Sequence, residues 1–568
     1  MTFRSSWAEG RGAAASNSRL TLHGPRREIA YSPSRALREI TPQQMSADHI
    51  QSGNHTWASL RKRSEAFCSL RAAVVLSLLL FGFHLVGLTR HGFWIDELHT
   101  YGATRLSFTE LFRERTAAGH QPTYFIFVKC WTNLAGATEA SIRIVSVFFG
   151  ALAFLTFFIL CRRFLRDRAT FATALFLFFM SPYLFYTSQE ARMYSILAFL
   201  SVFSSHSLLS WLDSKRWVWL PLYSLSVLIG LSFHSLFGLQ IVAHGVYVLA
   251  HHRRQAVRFA GALAAGIAPV APLCFMLASN QEKYSGGPRI KFVDPLKTLR
   301  KLGAVATADF SDLLPKSFPG RGALAYLAAL LFTVLAVRAI ARYRRISWLA
   351  ATKTDGVGSD AAGERMLLRY CFYWIGVPTL IMYAGAILYK DKLGPLRYFS
   401  PLAAPVILLA GAGLRGMGRT LAGRITAGAY WVLVGAAMLV TFLYRGPGIR
   451  EGIEFLKREY RAGDGVVFCS NGALRYSFDL YGAGDMDRLG ISEDEKDKET
   501  LLRKITEFSK EKKTIWLLLH GAEKSPLMAL FKDRPALLQP FCERQIRETQ
   551  ILGFTNLASR DPMGAAPH

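Results

Sequence analysis

Eight long runs of apolar residues constrain the fold of this chain more than any other sequence feature. A helix needs about 20 residues to cross the hydrocarbon core of a bilayer, and the runs are of about that length. They lie at Ala72–Leu88, Ile142–Leu160, Ala169–Tyr186, Val218–Phe233, Phe259–Ala278, Ala323–Val337, Leu367–Leu388 and Ile425–Tyr444. Less regular apolar stretches lie between them. The sequence therefore predicts an α-helical polytopic membrane protein with about eleven transmembrane helices.

The net charge of +28 is concentrated between the apolar runs, because residues 446–568 carry 19 basic and 19 acidic residues. Basic clusters recur at alternate connections, at residues 162–168, 215–216, 251–254, 342–345 and 415–424. This alternation is typical of cytoplasmic loops, whereas a nucleic-acid-binding protein would carry a basic folded domain with interleaved aromatic residues. The charge therefore predicts a cytoplasmic N-terminus and no nucleic-acid partner, and the localisation that we expect is the plasma (inner) membrane.

Three regions differ in composition. Residues 1–70, rich in Ser, Arg, Ala and Gly, predict a disordered basic cytoplasmic tail. Residues 71–445 form the predicted transmembrane domain, with a first outer loop at 90–140. Residues 446–568 alternate amphipathic helices with buried strands and predict a small α/β domain. An odd number of spans places this domain on the extracytoplasmic side.

The first outer loop opens with Trp94, Ile95, Asp96 and Glu97. Two adjacent carboxylates at the membrane boundary are costly unless they are used or paired. A carboxylate there could accept a proton from an incoming hydroxyl. The alternative is an interfacial acid pair that caps the following helix.

Two further charged motifs fall in predicted outer connections. Glu190, Arg192 and Tyr194 stand in a connection so short that all lie near the membrane surface. Arg397 and Tyr398 precede the next span and could donate hydrogen bonds to a phosphate. The alternatives are a self-neutralising acid–base pair and a snorkelling Arg with an interfacial Tyr.

The remaining candidates are weaker when each is taken alone. His234 at the outer end of a span is more often an interfacial histidine than a ligand. His120 and Tyr124 close the first outer loop, where Pro122 signals a helix start. Asp485 and Asp487 spell a D-x-D, but no nucleotide-binding fold precedes them.

The seven cysteines are scattered and include no C-x-x-C motif, which argues against a structural zinc site. Cys469 and Cys542 share the C-terminal domain. They predict either two thiols or, in an extracytoplasmic domain, a disulfide.

Taken in chain order, these motifs resemble the GT-C superfamily of membrane glycosyltransferases. The resemblance rests on Trp94–Glu97, His120–Tyr124, Ser188–Tyr194 and Arg397–Tyr398 with Pro401 and Pro405. The branch that it resembles most holds bacterial protein mannosyltransferase-like enzymes and lipid A aminoarabinose transferases. Where that family has two prolines, this chain has Gln121-Pro122, so the local loop shape differs.

The resemblance implies a role for each matching residue. Asp96 matches the first-loop catalytic acid, with Glu97 beside it, and Glu190 matches the second acidic position. Arg192 and Arg397 would face the donor phosphate, together with Tyr398 and His234. Acceptor or loop contacts would come from Trp94, His120, Tyr124 and Tyr194. No cofactor is certain, although Asp96 and Glu190 are the expected ligands of any divalent metal.

The implied reaction is an inverting transfer of a hexosyl or pentosyl group from a polyprenyl-phosphate-linked sugar. The acceptor would be a lipid, glycan or protein hydroxyl at the outer face of the membrane, and membrane lipids would surround the enzyme. The alternative is a transporter or flippase for a lipid-linked or anionic solute. Transporters usually contain paired repeats or broken helices, and the sequence contains no repeat.

The odd number of spans and the basic alternate loops generate a first prediction. A single-cysteine accessibility map should place residues 1–70 in the cytoplasm and residues 446–568 outside, because cytoplasmic loops hold the excess of Lys and Arg. A map with both regions on the same side would contradict the predicted topology.

Overall fold

A computed structural model describes residues 69–285, 293–307, 314, 318–352, 358–388, 395–444, 446–470, 472–492, 497–520 and 538–556. The predicted N-terminal tail lies almost wholly outside these residues. The described chain is mostly helical and ends in one five-stranded sheet. The predicted fold class, a helical membrane protein with a small C-terminal α/β domain, is confirmed.

Twelve helices form the first half of the described chain. They are α1 (Leu70–Leu85), α2 (Ile95–Arg105), α3 (Phe108–Ala117), α4 (Thr123–Ala135), α5 (Glu139–Phe164), α6 (Arg168–Phe179), α7 (Pro182–Ser188), α8 (Tyr194–Ser214), α9 (Trp219–Phe233), α10 (Phe237–His251), α11 (Ala256–Ile267) and α12 (Ala271–Ser285). The first outer loop thus folds into α2, α3 and α4 rather than extending as coil.

The membrane part continues with five helices. They are α13 (Pro295–Ala306), α14 (Arg321–Thr352), α15 (Gly358–Leu388), α16 (Ala403–Leu414) and α17 (Leu421–Leu443). Short 3₁₀ helices occur at Arg253–Gln255, Leu396–Leu402 and Met417–Arg419. Arg397 and Tyr398 lie on the second of these, which packs against α8.

Within the described residues, six segments are long and apolar enough to cross a membrane, and two further bent pairs of helices qualify when each pair is taken together. Three shorter helices, α1, α9 and α10, are also apolar. Helices α1 and α9 coincide with the predicted runs Ala72–Leu88 and Val218–Phe233, and α10 lies in one of the less regular apolar stretches. The chain is therefore a multi-pass membrane protein, and the number of about eleven spans stays a prediction.

Proline lies at the break of both bent pairs. Helices α6 and α7 meet at 42°, where Ser181 caps and Pro182 begins α7. The α11–α12 pair bends by 67°, and Pro269 lies in its break. Because proline lacks the amide hydrogen that continues a helix, it accounts for both bends.

The C-terminal domain contains α18 (Ile449–Glu459), β1 (Gly465–Ser470), α19 (Arg475–Leu480), β2 (Arg488–Ser492), α20 (Lys498–Ser509), β3 (Thr514–His520), β4 (Leu538–Ile546) and β5 (Thr549–Asn556). Its strand order is β2-β1-β3-β5-β4. The pairs of β1 with β2 and β3 are parallel, and β5 pairs antiparallel with β3 and β4. The amphipathic patterns predict helices at 449–460 and 496–508 and strands at 465–469 and 514–519, which correspond to α18, α20, β1 and β3. The elements β2, β4, β5 and α19 were missed.

The strand order excludes the alternative of a Cys469–Cys542 disulfide. Cys469 lies on β1 and Cys542 on β4, and β3 and β5 run between these strands. Neighbouring strands are about 4.8 Å apart, so β1 and β4 lie beyond the roughly 7 Å that a disulfide spans between Cα atoms.

Candidate active site

A fully buried ion pair joins the first outer loop to the membrane helices. Arg143, near the start of α5, and Glu97, in the first turn of α2, have no exposed side-chain surface. The Arg143 Nε and Nη2 atoms lie 2.8 and 2.6 Å from Glu97 Oε1 and Oε2. This bidentate geometry is the one that guanidinium and carboxylate groups favour. The pair fixes the start of α2 against α5.

Arg143 also holds the chain that leads into α2. Its Nη1 donates to the carbonyl oxygens of Leu88 at 2.8 Å and His91 at 2.9 Å, and its Nη2 lies 3.3 Å from that of Gly92. Arg143 was missed from the sequence. Its position inside the apolar run Ile142–Leu160 was the available signal, because a charge inside a span requires a partner.

Both oxygens of Glu97 are engaged by further donors. The Ala191 amide donates to Oε1 at 2.7 Å, and the Trp94 amide donates to Oε2 at 3.3 Å. Thr100 Oγ1 donates in turn to the Ala191 carbonyl at 3.0 Å. These bonds bring the short connection between α7 and α8 against α2. From its completely buried position, Glu97 therefore bonds to two of the predicted motifs, the one that begins at Trp94 and the one that contains Glu190 and Arg192.

Asp96 faces a different environment from its neighbour. Its side chain is 22% exposed, and its Oδ2 lies 3.2 Å from Arg397 Nη2. Arg192 Nη1 donates to the Asp96 carbonyl oxygen at 3.1 Å. The Arg397 guanidinium lies 5.1 Å from the centroid of the Trp94 ring, within the range of a cation–π contact. The three predicted motifs therefore converge on Asp96.

Among the charged side chains of this cluster, three buried atoms have no hydrogen-bond partner within the described part of the chain. They are Arg192 Nε, Arg397 Nε and Glu190 Oε2. A buried polar group without a partner costs about 1–3 kcal/mol, so such a cluster favours a polar ligand. Two guanidinium donors suit the oxygens of a phosphate in particular.

The pKa of the Glu190 carboxyl group is higher than is usual for a glutamate. Burial, and next the negative charge of Glu97, raise the pKa of Glu190 to about 8. The Tyr186 hydrogen bond and the charge of Arg397 act in the opposite direction. The carboxyl group is therefore mostly protonated at neutral pH, and it can donate a hydrogen bond.

His234 lies in the connection between α9 and α10 and faces the same cluster. Burial, and next the charge of Arg192, lower the pKa of His234 to about 3, so its ring is neutral. Its Nδ1 accepts the Leu236 amide at 3.1 Å, which leaves Nε2 as the donor. The ring centroid of Tyr398 lies 5.9 Å from that of His234 and 6.5 Å from that of Tyr194.

The two residues that close the first outer loop differ in burial. Tyr124 on α4 is completely buried. Burial raises the pKa of its hydroxyl, the charge of Arg192 lowers it, and the charge of Glu97 raises it. His120 precedes α4 and is exposed as a residue. Desolvation of its ring, and next the charge of Arg192, lower the pKa of His120 to about 4. Tyr124 thus belongs to the wall of the cluster, and His120 lies at its outer edge.

The residues present do not fit a divalent metal site. Among the described residues, no three His, Cys, Asp or Glu side chains form a group that could hold a metal ion. Asp96, one of the two expected ligands, is paired with the Arg397 guanidinium. The other, Glu190, has a raised pKa and is mostly protonated near neutral pH, whereas a metal binds the ionised carboxylate.

A membrane protein in which three loop motifs bring together one partly exposed carboxylate and two arginines with unpartnered Nε donors is suited to binding a phosphate beside a base. Residues 119–277 match the family model described as dolichyl-phosphate-mannose-protein mannosyltransferase. This match covers α4 to α12 and confirms, for that segment, the resemblance to GT-C glycosyltransferases. It supports a glycosyltransferase of that class.

Several solved structures are similar to the chain, two of them structures of ArnT. One is the crystal structure of ArnT from Cupriavidus metallidurans in the apo state, with 13% identity, a TM-score of 0.42 and coverage of 88% of this chain and 98% of that one. The other is ArnT from the same organism bound to undecaprenyl phosphate, with 12% identity, a TM-score of 0.36 and coverage of 88% and 99%. No match is found among curated proteins.

The Arg143–Glu97 pair generates a prediction about stability. Glu97→Gln should lower the free energy of unfolding by about 3–5 kcal/mol, because it leaves a buried guanidinium without a counter-charge. The matched control is Asp213→Asn, which breaks the Arg163–Asp213 pair, whose side chains are 29% and 49% exposed. That control should cost only about 0–1 kcal/mol. Thermal unfolding of the purified proteins in detergent compares them, and equal shifts would contradict the structural role of Glu97.

Proposed function

We propose that this protein is an inverting glycosyltransferase that acts at the outer face of the membrane. It moves a sugar from a polyprenyl-phosphate donor to an acceptor hydroxyl. The observation that carries the proposal is the pair of unpartnered Nε donors of Arg192 and Arg397 next to the Asp96 carboxylate. Transfer from a phosphate ester needs both parts: fixed positive charge for the leaving phosphate and one base for the attacking hydroxyl.

Asp96 is the proposed general base. It accepts the acceptor's proton as the hydroxyl oxygen attacks the anomeric carbon, and the bond from that carbon to the phosphate oxygen breaks. The electron pair leaves with the polyprenyl phosphate, and attack from the opposite face inverts the anomeric centre. Arg397 lies 3.2 Å from Asp96 Oδ2, so its guanidinium can hold the donor phosphate beside the carboxylate that accepts the proton.

The other residues assist these two. Glu97 is a positioning residue, because its oxygens are bonded to Arg143 and to backbone amides. Glu190 is a neutral acid that donates a hydrogen bond. Arg192 holds the donor phosphate together with Arg397.

The rings around this centre complete the proposed site. Tyr398 and the neutral His234 donate hydrogen bonds on the donor side. Trp94, Tyr124 and Tyr194 enclose the site, and His120 lies where an acceptor would enter.

A transporter or flippase is the second candidate, and the two bent helix pairs favour it, since broken helices are common in transporters. Prolines account for these bends locally, and the folded first outer loop fits an enzyme better. An assay in detergent solution distinguishes the two functions, because transport needs two compartments and sugar transfer does not. Product formation there supports transfer, and its absence together with donor movement across proteoliposomes supports transport.

The role of Asp96 generates a prediction about turnover. Asp96→Asn keeps the size of the side chain but removes proton acceptance, so turnover should fall about 10²-fold or more. Donor-lipid affinity should change little. The matched control replaces Asp485 and Asp487 by Asn, where the Asp487 carboxylate pairs with Lys512 on the surface of the C-terminal domain.

Purified variants are compared in a transfer assay, with donor binding measured on the same samples. Arg397→Ala should weaken donor binding and slow departure of the phosphate together. Near-normal transfer by Asp96→Asn would remove Asp96 from the mechanism. Loss of activity in the folded control would favour a nucleotide-sugar site in the C-terminal domain instead.

The raised pKa of Glu190 generates a prediction about pH. The group is neutral below a pH of about 8 and charged above it, so activity should decline above this pH as a second negative charge appears beside the donor phosphate. Glu190→Gln stays neutral, so it should retain turnover at neutral pH and lose the alkaline decline. Profiles of kcat/KM from about pH 6 to about pH 9.5 compare the two, and an unchanged decline in the variant would contradict this role.

A further inference from the structure

The hydroxyl of Tyr481, in the C-terminal domain, bonds to both sides of the first outer loop. It accepts the Phe93 amide at 2.7 Å and donates to Glu139 Oε1 at 2.6 Å. Phe93 lies just before the first turn of α2, which carries Asp96, and Glu139 begins α5. One side chain from outside the membrane part therefore joins the start of α2 to the start of α5.

Arg450 on α18 completes the contact. Its Nη2 lies 3.1 Å from Glu139 Oε2 and donates to the Thr89 carbonyl at 3.0 Å. Both oxygens of Glu139 thus receive donors from the C-terminal domain. The Glu139 side chain is 11% exposed, so these bonds are shielded from water and are stronger than they would be at the surface.

The domain touches α2 a second time, on its middle turn. A Cβ atom at Gly102 would lie only 2.1 Å from Cε2 of Tyr476, on α19. A Cβ atom at Gly92 would meet the Tyr481 hydroxyl at 2.9 Å and the Cβ of Arg450 at 2.6 Å. Glycine at both positions permits the close approach. The two contacts of the domain lie on either side of Asp96 along the chain.

From these contacts we infer that the C-terminal domain sets the position of Asp96, with Tyr481 as a positioning residue for transfer. The Tyr481 hydroxyl fixes the Phe93 amide, three residues before Asp96, and Tyr476 supports the helix beyond it. The inference rests on the proposed role of Asp96. A displacement of about 1 Å in a catalytic group can cost up to about 10²-fold in rate, so the domain is required for turnover and not for donor binding.

The first test removes the hydroxyl alone. Tyr481→Phe should lower kcat about 10-fold or more, while KM for the donor stays within about twofold, because Arg192 and Arg397 are untouched. The matched control is Tyr460→Phe, whose hydroxyl bonds to the Asp464 carbonyl and the Asp487 amide within the C-terminal domain. Normal kcat in Tyr481→Phe, or an equal loss in both variants, would overturn the inference.

A readout without substrate separates this inference from the proposed function. Amide hydrogen exchange in a peptide covering residues 93–105 should be faster in Tyr481→Phe than in the wild type or in Tyr460→Phe. Unchanged exchange would overturn the inference even if transfer by the wild-type protein is confirmed. Faster exchange in Tyr481→Phe, together with no sugar transfer by the wild-type protein, would support the contact between Tyr481 and the first outer loop and would contradict the proposed function.

A suppressor pair tests the second contact. Gly102→Ala should lower kcat, because its methyl group displaces α2 from Tyr476. Adding Tyr476→Ala should bring the double variant to the level of Tyr476→Ala alone, since the clash is then gone. A loss in Gly102→Ala that Tyr476→Ala does not relieve would show that the helix fails for another reason, and it would overturn this part of the inference.

Discussion

The Arg143–Glu97 ion pair is the interaction on which the rest of the site depends. Both side chains are completely buried, and removing two charges from water costs several kcal/mol per ion. The bidentate pair offsets that cost only because Arg143 also bonds to the carbonyls of Leu88 and His91, and Glu97 to the amide of Ala191. Satisfying one buried charge therefore determines where α2, α5 and the α7–α8 connection meet.

This arrangement gives two neighbouring carboxylates different roles. Successive residues of a helix point about 100° apart, so when Glu97 is bonded toward α5, Asp96 faces the two arginines and the exterior. The charge of Glu97 also contributes to the raised pKa of Glu190. The cluster thus combines one carboxylate paired with Arg397, one mostly protonated acid and two guanidinium groups, which is the distribution of charge that phosphate binding beside a base requires.

The C-terminal domain also contributes contacts that hold α2 and α5 together. Tyr481 and Arg450 both bond to Glu139, and Glu139 lies one turn before Arg143 on α5. The same helix therefore connects the contact with the C-terminal domain to the buried ion pair. A soluble domain of modest size is in this way part of the frame that holds α2.

Local periodicity and composition were enough to predict a multi-pass helical membrane protein with a small α/β domain, and the motifs could be read in chain order. Within residues 449–520, amphipathic patterns predicted α18, β1, α20 and β3, whereas α19 and β2 were missed. The strands β4 and β5 were missed because they follow a long stretch without a clear period. Tertiary structure alone decided that Glu97 pairs with Arg143, 46 residues away, and that Tyr481 reaches Phe93, 388 residues away. Such contacts depend on how distant segments pack, and no local pattern encodes that packing.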